Sequence, residues 1–162
     1  MVPWSRIAAF ARRVAASRPI EWRFAAAAWM GAPAIDGALR LGGLDRTLRW
    51  IEALSPVPTS TDRPEALSIE RASSLVDRVY RLHVLPGTCL RKSLLQYWLH
   101  RRAGTPVRFV VGVRRGDKRA DASLDAHAWV EPLDAPQGQA YERLLVREAQ
   151  APGGQAPARR SR

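Results

Sequence analysis

One thiol and one imidazole are the side chains of this sequence whose types and positions could support covalent catalysis. Cys89 is the single cysteine, and it follows Pro86-Gly87-Thr88 at the start of a predicted helix. Unpaired N–H groups and the helix dipole stabilise an anion at such a position, so the pKa of this thiol should fall and its reactivity should rise. A buried, inert cysteine that packs as a small hydrophobic residue is the alternative interpretation.

His127 is the candidate general base for that thiol. It lies in the predicted strand Leu124–Glu131, where alternation places it on one face with Trp129 and Glu131. Its two neighbours in sequence are alanines, which leave room for a close contact. A helix packed on an antiparallel sheet can bring its N-terminus over this strand, although a lone strand histidine can also be a half-buried structural residue.

A cysteine–histidine pair needs a third group that orients the imidazole. If residues 132–138 form a turn, the chain returns antiparallel and Glu142 lies opposite His127. Asp134 would lie in that turn, and Asp125 shares the face of His127 one pleat earlier. Among the three carboxylates, the hairpin geometry favours Glu142 as the acid. Each of them could also be a solvated surface group.

The elements that must position these side chains are predicted to be helices in the first half of the chain and a helix followed by strands in the second half. This order predicts an α+β fold with an antiparallel sheet. Apolar residues at helical spacing predict a first helix near Trp4–Val14, a second over Ile20–Met30 that stops at Gly31 and Pro33, and a third over Leu39–Ile51 that is interrupted at Gly42-Gly43. A fourth helix over Leu67–Leu82 has Asp62 as its possible N-cap.

The second half of the chain carries the predicted catalytic elements. A loop over 83–88 precedes a helix over Cys89–Arg102, which ends near Gly104. Strands follow over Val107–Val113 and Leu124–Glu131, and Ala140–Val146 is a third strand or a short helix. We therefore expect a helical region over 1–60, a catalytic core over 61–150 and a disordered basic tail over 151–162.

Composition excludes several classes of protein. The 162 residues carry a formal net charge of +11, which favours anionic partners. One cysteine excludes a disulfide scaffold and a cysteine-rich metal site. His83 and His100 have no companions at metal-ligand spacing, so neither a metal nor a cofactor is expected. No signal peptide and no apolar run of membrane-spanning length is visible, which predicts a cytoplasmic protein.

Three motifs together resemble a known family. They are Cys89–Leu94 (CLRKSL), Arg101–Arg114, which ends in GVR, and Ala126–Glu131 (AHAWVE). In this order and spacing they resemble the transglutaminase-like cysteine peptidases of lasso-peptide biosynthesis, the stand-alone B-type proteins. The likeness extends from about Leu82 to Glu131, and the helical N-terminal region resembles the first part of the family more loosely.

The resemblance implies a papain-like mechanism in which Cys89 is the nucleophile and His127 is the general base and later the acid. The reaction it implies is removal of the leader from a ribosomally made precursor, whose core peptide then passes to an ATP-dependent macrolactam synthetase. Short members of the family borrow leader recognition from a separate winged-helix-like protein. The third triad member of the family is usually an Asp on the strand after the histidine, and this chain departs from that pattern because only Asp134 and Glu142 are at hand.

Two other functions are compatible with the sequence. A non-catalytic basic module could bind an acidic peptide or nucleic acid, since Arg114-Arg115 and Lys118-Arg119 flank a charged turn. Its aromatic residues are not interleaved with the basic runs as base stacking requires, so nucleic acid is not the expected partner. The same thiol could also transfer an acyl group to an amine. For a peptidase, the backbone N–H of Cys89 is a natural oxyanion donor, and the sequence identifies no second one.

Overall fold

A computed structural model describes residues 19–55, 67–115, 124–135 and 141–149 of the chain. The elements are α1 (Pro19–Leu54), α2 (Ile69–Leu82), α3 (Cys89–Arg102), β1 (Val107–Arg115), β2 (Leu124–Pro132) and β3 (Glu142–Glu148). Three helices and a small antiparallel sheet confirm the predicted α+β class. The predicted first helix near Trp4–Val14 and the predicted tail over 151–162 lie outside the described residues.

Helix α1 continues through two residues at which the sequence predicted a stop. Gly31 is buried, and a Cβ built on it would lie 2.4 Å from Cζ3 of Trp98 on α3. Its missing side chain therefore permits close helix packing and does not end the helix. Pro33 lies exposed inside the same helix. The predicted interruption at Gly42-Gly43 is confirmed, because Gly43 has φ 69°, in the left-handed region that glycine tolerates, and kinks the helix there.

The caps of α2 and α3 explain where these helices begin. Ser68 caps α2 by accepting the N–H of Arg71, so the helix begins at Ile69 and the predicted N-cap at Asp62, outside the described residues, is wrong. Thr88 caps α3 by accepting the N–H of Arg91. Helix α3 therefore begins at Cys89, as predicted, which places the thiol in its first turn.

The sheet has the strand order β2-β1-β3, with both outer strands antiparallel to β1. The third predicted element is therefore a strand, but it does not pair with β2 as the sequence analysis expected. Strand β1 contains the fully buried residues Val107, Phe109 and Val110. Placing this apolar strand in the centre buries both of its edges, which explains why β3 passes β2 and pairs with β1.

Helix α3 joins the sheet to the other helices. Its Tyr97 lies in the core against Phe109 of β1, with ring centroids 5.9 Å apart. On β2, Ala128 and Val130 are buried in the same core. The described helices include none that is both long and apolar enough to cross a membrane, and the described part of the chain holds no cluster of three potential metal ligands.

Candidate functional site

Cys89 presents an exposed thiol at the N-terminus of α3. The cap residue Thr88 accepts the N–H of Arg91 at 3.4 Å, and no acceptor among the described residues takes the N–H of Cys89 itself. A free amide beside the sulfur is what an oxyanion hole requires, because the oxyanion forms on the carbon that the sulfur attacks. The predicted donor is thus free to act.

The first turn of α3 is held by two ion pairs. Arg91 donates from Nε to Asp36 of α1 at 2.7 Å, and Lys92 Nζ lies 2.8 Å from Asp77 of α2. Each of these two cations near Cys89 is balanced by a carboxylate. Their role in the structure is to fix the turn that carries the thiol between two other helices.

His127 and Cys89 line the same open cavity, which has a volume of about 340 Å³. Residues of α2, α3 and β2 form its walls. Ser93, one turn after Cys89, donates from Oγ to the carbonyl oxygen of Ala128 at 2.7 Å and so ties α3 to the strand beside His127. The structure therefore brings together the two residues that the sequence singled out, while their catalytic roles stay predictions.

The imidazole of His127 belongs to a cluster of three aromatic rings. It stacks on Trp129 with an interplanar angle of 15° and a centroid distance of 5.9 Å. Tyr141, just before β3, lies 5.8 Å from His127 and 5.8 Å from Trp129. The three rings form a nearly equilateral triangle on the face of β2 opposite the buried Ala128, as strand alternation predicted for His127 and Trp129.

Tyr141 is tethered to the same strand as His127. Its hydroxyl donates to Oδ2 of Asp125 at 3.1 Å, and Arg114 donates to the same oxygen at 3.3 Å while its Cζ lies 5.1 Å from the tyrosine ring. The hydrogen bond to Asp125 raises the pKa of the Tyr141 phenol, so the hydroxyl remains a donor at neutral pH. Sequence reasoning missed Tyr141; the available signal was an aromatic residue at the start of the strand that follows the histidine strand.

Trp129 is fixed by a buried charge cluster. Its Nε1 donates to Oε2 of Glu131 at 2.8 Å. The other carboxylate oxygen of Glu131 accepts from Nε of Arg108 and lies 2.9 Å from a guanidinium nitrogen of Arg143. The structure thus places Trp129 between this cluster and the histidine ring.

The carboxylates proposed for the triad lie in different places. Glu142 is exposed on β3 and pairs with Val113, with β1 between it and β2. The hairpin that was to place it opposite His127 is wrong, and its role stays a prediction. Asp134 is exposed in the turn after β2, seven residues beyond His127. Within the described ranges no group hydrogen-bonds the imidazole, although Asp125 reaches its neighbour Tyr141.

Comparison with known proteins identifies one family. Residues 31–150 match the model of the transglutaminase-like superfamily, which covers most of the chain and includes both Cys89 and His127. Comparisons with curated proteins and with solved structures gave no significant match.

Proposed function

The chain belongs to the transglutaminase-like superfamily, and from that premise we propose that it is a cytoplasmic cysteine peptidase that removes the leader from a lasso-peptide precursor. Members of the superfamily are typically cysteine-dependent enzymes. The observation that supports the proposal is the shared cavity, whose walls include Cys89 at the N-terminus of α3 and His127 on β2. The motifs around these two residues, which resemble the B-type proteins, support the choice of substrate.

The proposed reaction divides peptide hydrolysis into two steps. His127 takes the proton of the Cys89 thiol, and the sulfur attacks the carbonyl carbon of the scissile bond. The oxyanion accepts the N–H of Cys89, and as the C–N bond breaks His127 returns its proton to the leaving amine. Water, deprotonated by His127, then hydrolyses the thioester, so the leader leaves as a carboxylate and the thiol is regenerated.

The proposed partners follow from the same resemblance. The leader would be presented by a separate winged-helix-like protein, and the released core peptide would pass to an ATP-dependent macrolactam synthetase. The net charge of +11 suits an acidic partner surface. Glu142 was predicted as the acid from the geometry of a hairpin between β2 and β3. Strand β3 pairs with β1 and not with β2, so that geometric support is lost and the role of Glu142 stays a prediction.

The direct test is cleavage of a purified precursor in the presence of the leader-binding protein. We expect Cys89→Ala and His127→Ala each to lower the cleavage rate by about 1,000-fold or more, because nucleophile and base act as a unit. Ser74→Ala is the matched control, since Ser74 is exposed on α2 and bonds only the local carbonyl of Glu70. If Cys89→Ala cleaves as well as the unsubstituted protein, the proposal fails.

Acyl transfer is the second candidate, because superfamily membership fits a cysteine-dependent acyl transferase as well as a peptidase. In that reaction an amine attacks the same thioester and forms a new amide. Mass spectrometry of the product separates the two outcomes, since hydrolysis leaves a free carboxylate on the leader and transfer leaves the mass of the added amine. Salt-sensitive DNA binding without any thiol-dependent reaction would instead favour the basic binding module.

A further inference from the structure

We infer that Tyr141 is a positioning residue for His127, held in place by Asp125, and that it takes over with Trp129 the orienting role that a carboxylate has in a cysteine–histidine–acid triad. The inference rests on the proposed function, because it assumes that His127 acts on the Cys89 thiol. It goes beyond that function because it assigns the orientation of the base to two aromatic rings, those of Tyr141 and Trp129, which we call the aromatic clamp.

The ring geometry carries the first step. The imidazole of His127 has Trp129 stacked on it at 15° and Tyr141 beside it at 35°, with centroids 5.9 and 5.8 Å away. Two rings that contact a third one restrict its rotation about χ2, which is otherwise a broad torsion for histidine. The described residues offer the imidazole no hydrogen bond, so within them these ring contacts are what orients it.

Both members of the clamp are themselves anchored by carboxylates. Asp125 accepts the hydroxyl of Tyr141 at 3.1 Å, and Glu131 accepts the indole N–H of Trp129 at 2.8 Å. Each carboxylate lies two residues from His127 or from Trp129 on the same face of β2. Asp125 and Glu131 thus bind the two rings that contact His127 and not the imidazole itself.

The backbone opposite His127 is adapted to the clamp. Gly112 of β1 is the register partner of His127. A Cβ on Gly112 would lie 2.9 Å from Cβ of Tyr141 and 3.0 Å from Cη2 of Trp129. A side chain at this position would force Tyr141 or Trp129 to shift, so the glycine makes space for both.

The electrostatic surroundings of His127 must be counted before any pH dependence is assigned to Tyr141. Among the described residues, the charged and titratable groups on the surrounding elements are Asp125, Glu131, Arg108, Arg114, Arg143, Tyr141, Asp77, Lys92 and Cys89. All the fully charged groups among them, the thiol aside, have an opposite charge within 3.3 Å. Removal of the neutral Tyr141 ring therefore tests position with little change in net charge.

The test compares variants by the pH dependence with which iodoacetamide alkylates Cys89, a reaction that needs no precursor. An imidazole held beside a thiol accepts its proton, so the pH dependence of alkylation reports how well the imidazole is positioned. We expect Tyr141→Leu to move the onset of alkylation upward by about one pH unit or more, and Tyr141→Phe and Asp125→Asn to move it by less. Tyr97→Phe is the matched control, because Tyr97 is buried in the core two turns after Cys89.

A second measurement follows cleavage of the precursor. We expect Tyr141→Leu to lower kcat by about 10 to 100-fold with little change in KM, since misplacing a catalytic group costs rate more than binding. Circular dichroism checks the fold, and Tyr141→Phe keeps the test valid if the leucine variant unfolds. Equal alkylation profiles for the unsubstituted protein and folded Tyr141 variants overturn the inference. A shifted profile in a protein that never cleaves the precursor supports the clamp and rejects the leader-peptidase function.

Discussion

At the scale of single residues, Gly112 is the position where one methyl group should have the largest effect on the site. Gly112→Ala would bring the new Cβ to 2.9 Å from Cβ of Tyr141 and 3.0 Å from Cη2 of Trp129, so Tyr141 or Trp129 must shift, and we expect the contact with His127 to change. We expect kcat/KM for precursor cleavage to fall by about 10 to 100-fold. Gly37→Ala is the control, because nothing lies within 4 Å of its built Cβ. Unchanged kcat/KM in Gly112→Ala would contradict this account.

The sequence allowed prediction of where Cys89 and His127 lie because the signals for their elements are local. A cap residue before the thiol and a run of alternating side chains around the histidine are visible in a few consecutive residues. Tyr141 could not be predicted in the same way, since its contact with His127 depends on a bulge between Val111 and Gly112 in the pairing of β1 with β3. Such a register shift is a property of two strands that are distant in sequence.

At the scale of elements, helix ends follow from local sequence signals, whereas strand pairing and helix contacts depend on residues distant in sequence. The bounds of α3 were predicted to the residue, because Thr88 and Gly104 mark its ends. The pairing of β3 was wrong, because chain order suggests a hairpin whereas burial of β1 determines which strand lies in the centre. The predicted helix stop at Gly31 was wrong for a related reason. A glycine that permits helix contact has the same sequence signal as one that ends a helix.

The contrast between Gly31 and Gly37 gives a prediction within one helix. Gly31→Ala would place a Cβ 2.4 Å from Cζ3 of Trp98 and 2.9 Å from Cδ1 of Leu95, so these side chains must move or α1 and α3 must separate. We expect the free energy of unfolding to fall by about 1 to 3 kcal/mol. Gly37→Ala meets no neighbour and should raise it by about 0.5 to 1 kcal/mol, the usual helix preference for alanine over glycine. Urea denaturation measures both, and equal effects of the same sign would contradict the packing described here.

At the scale of the whole molecule, two ion pairs with buried carboxylates connect α1 to the helices that form the site. Glu21 and Asp36 are both buried on α1 and bind Arg71 of α2 and Arg91 of α3, with N–O distances of 2.6 and 2.7 Å. Removing either arginine would leave a buried carboxylate without this partner, so these pairs favour the observed arrangement of the helices. The site therefore depends on α1 although no residue of α1 lines the cavity shared by Cys89 and His127.

Stability of the molecule should fall in mildly acidic solution because of His100. This residue is 1% exposed near the end of α3 and packs against Phe24, and its Nε2 has no partner among the described residues. Burial lowers the pKa of His100 to about 4, with a weaker opposing effect from Glu70. Between pH 6.5 and 4 the unfolded chain binds the proton that the folded chain excludes, so stability decreases as pH falls through this range, by about 3 kcal/mol for this one group. His100→Leu removes this titrating group. The difference in unfolding free energy between the two proteins should be constant above pH 7 and should change by about 3 kcal/mol by pH 4. Plots of unfolding free energy against pH that stay parallel would contradict the burial of a neutral imidazole.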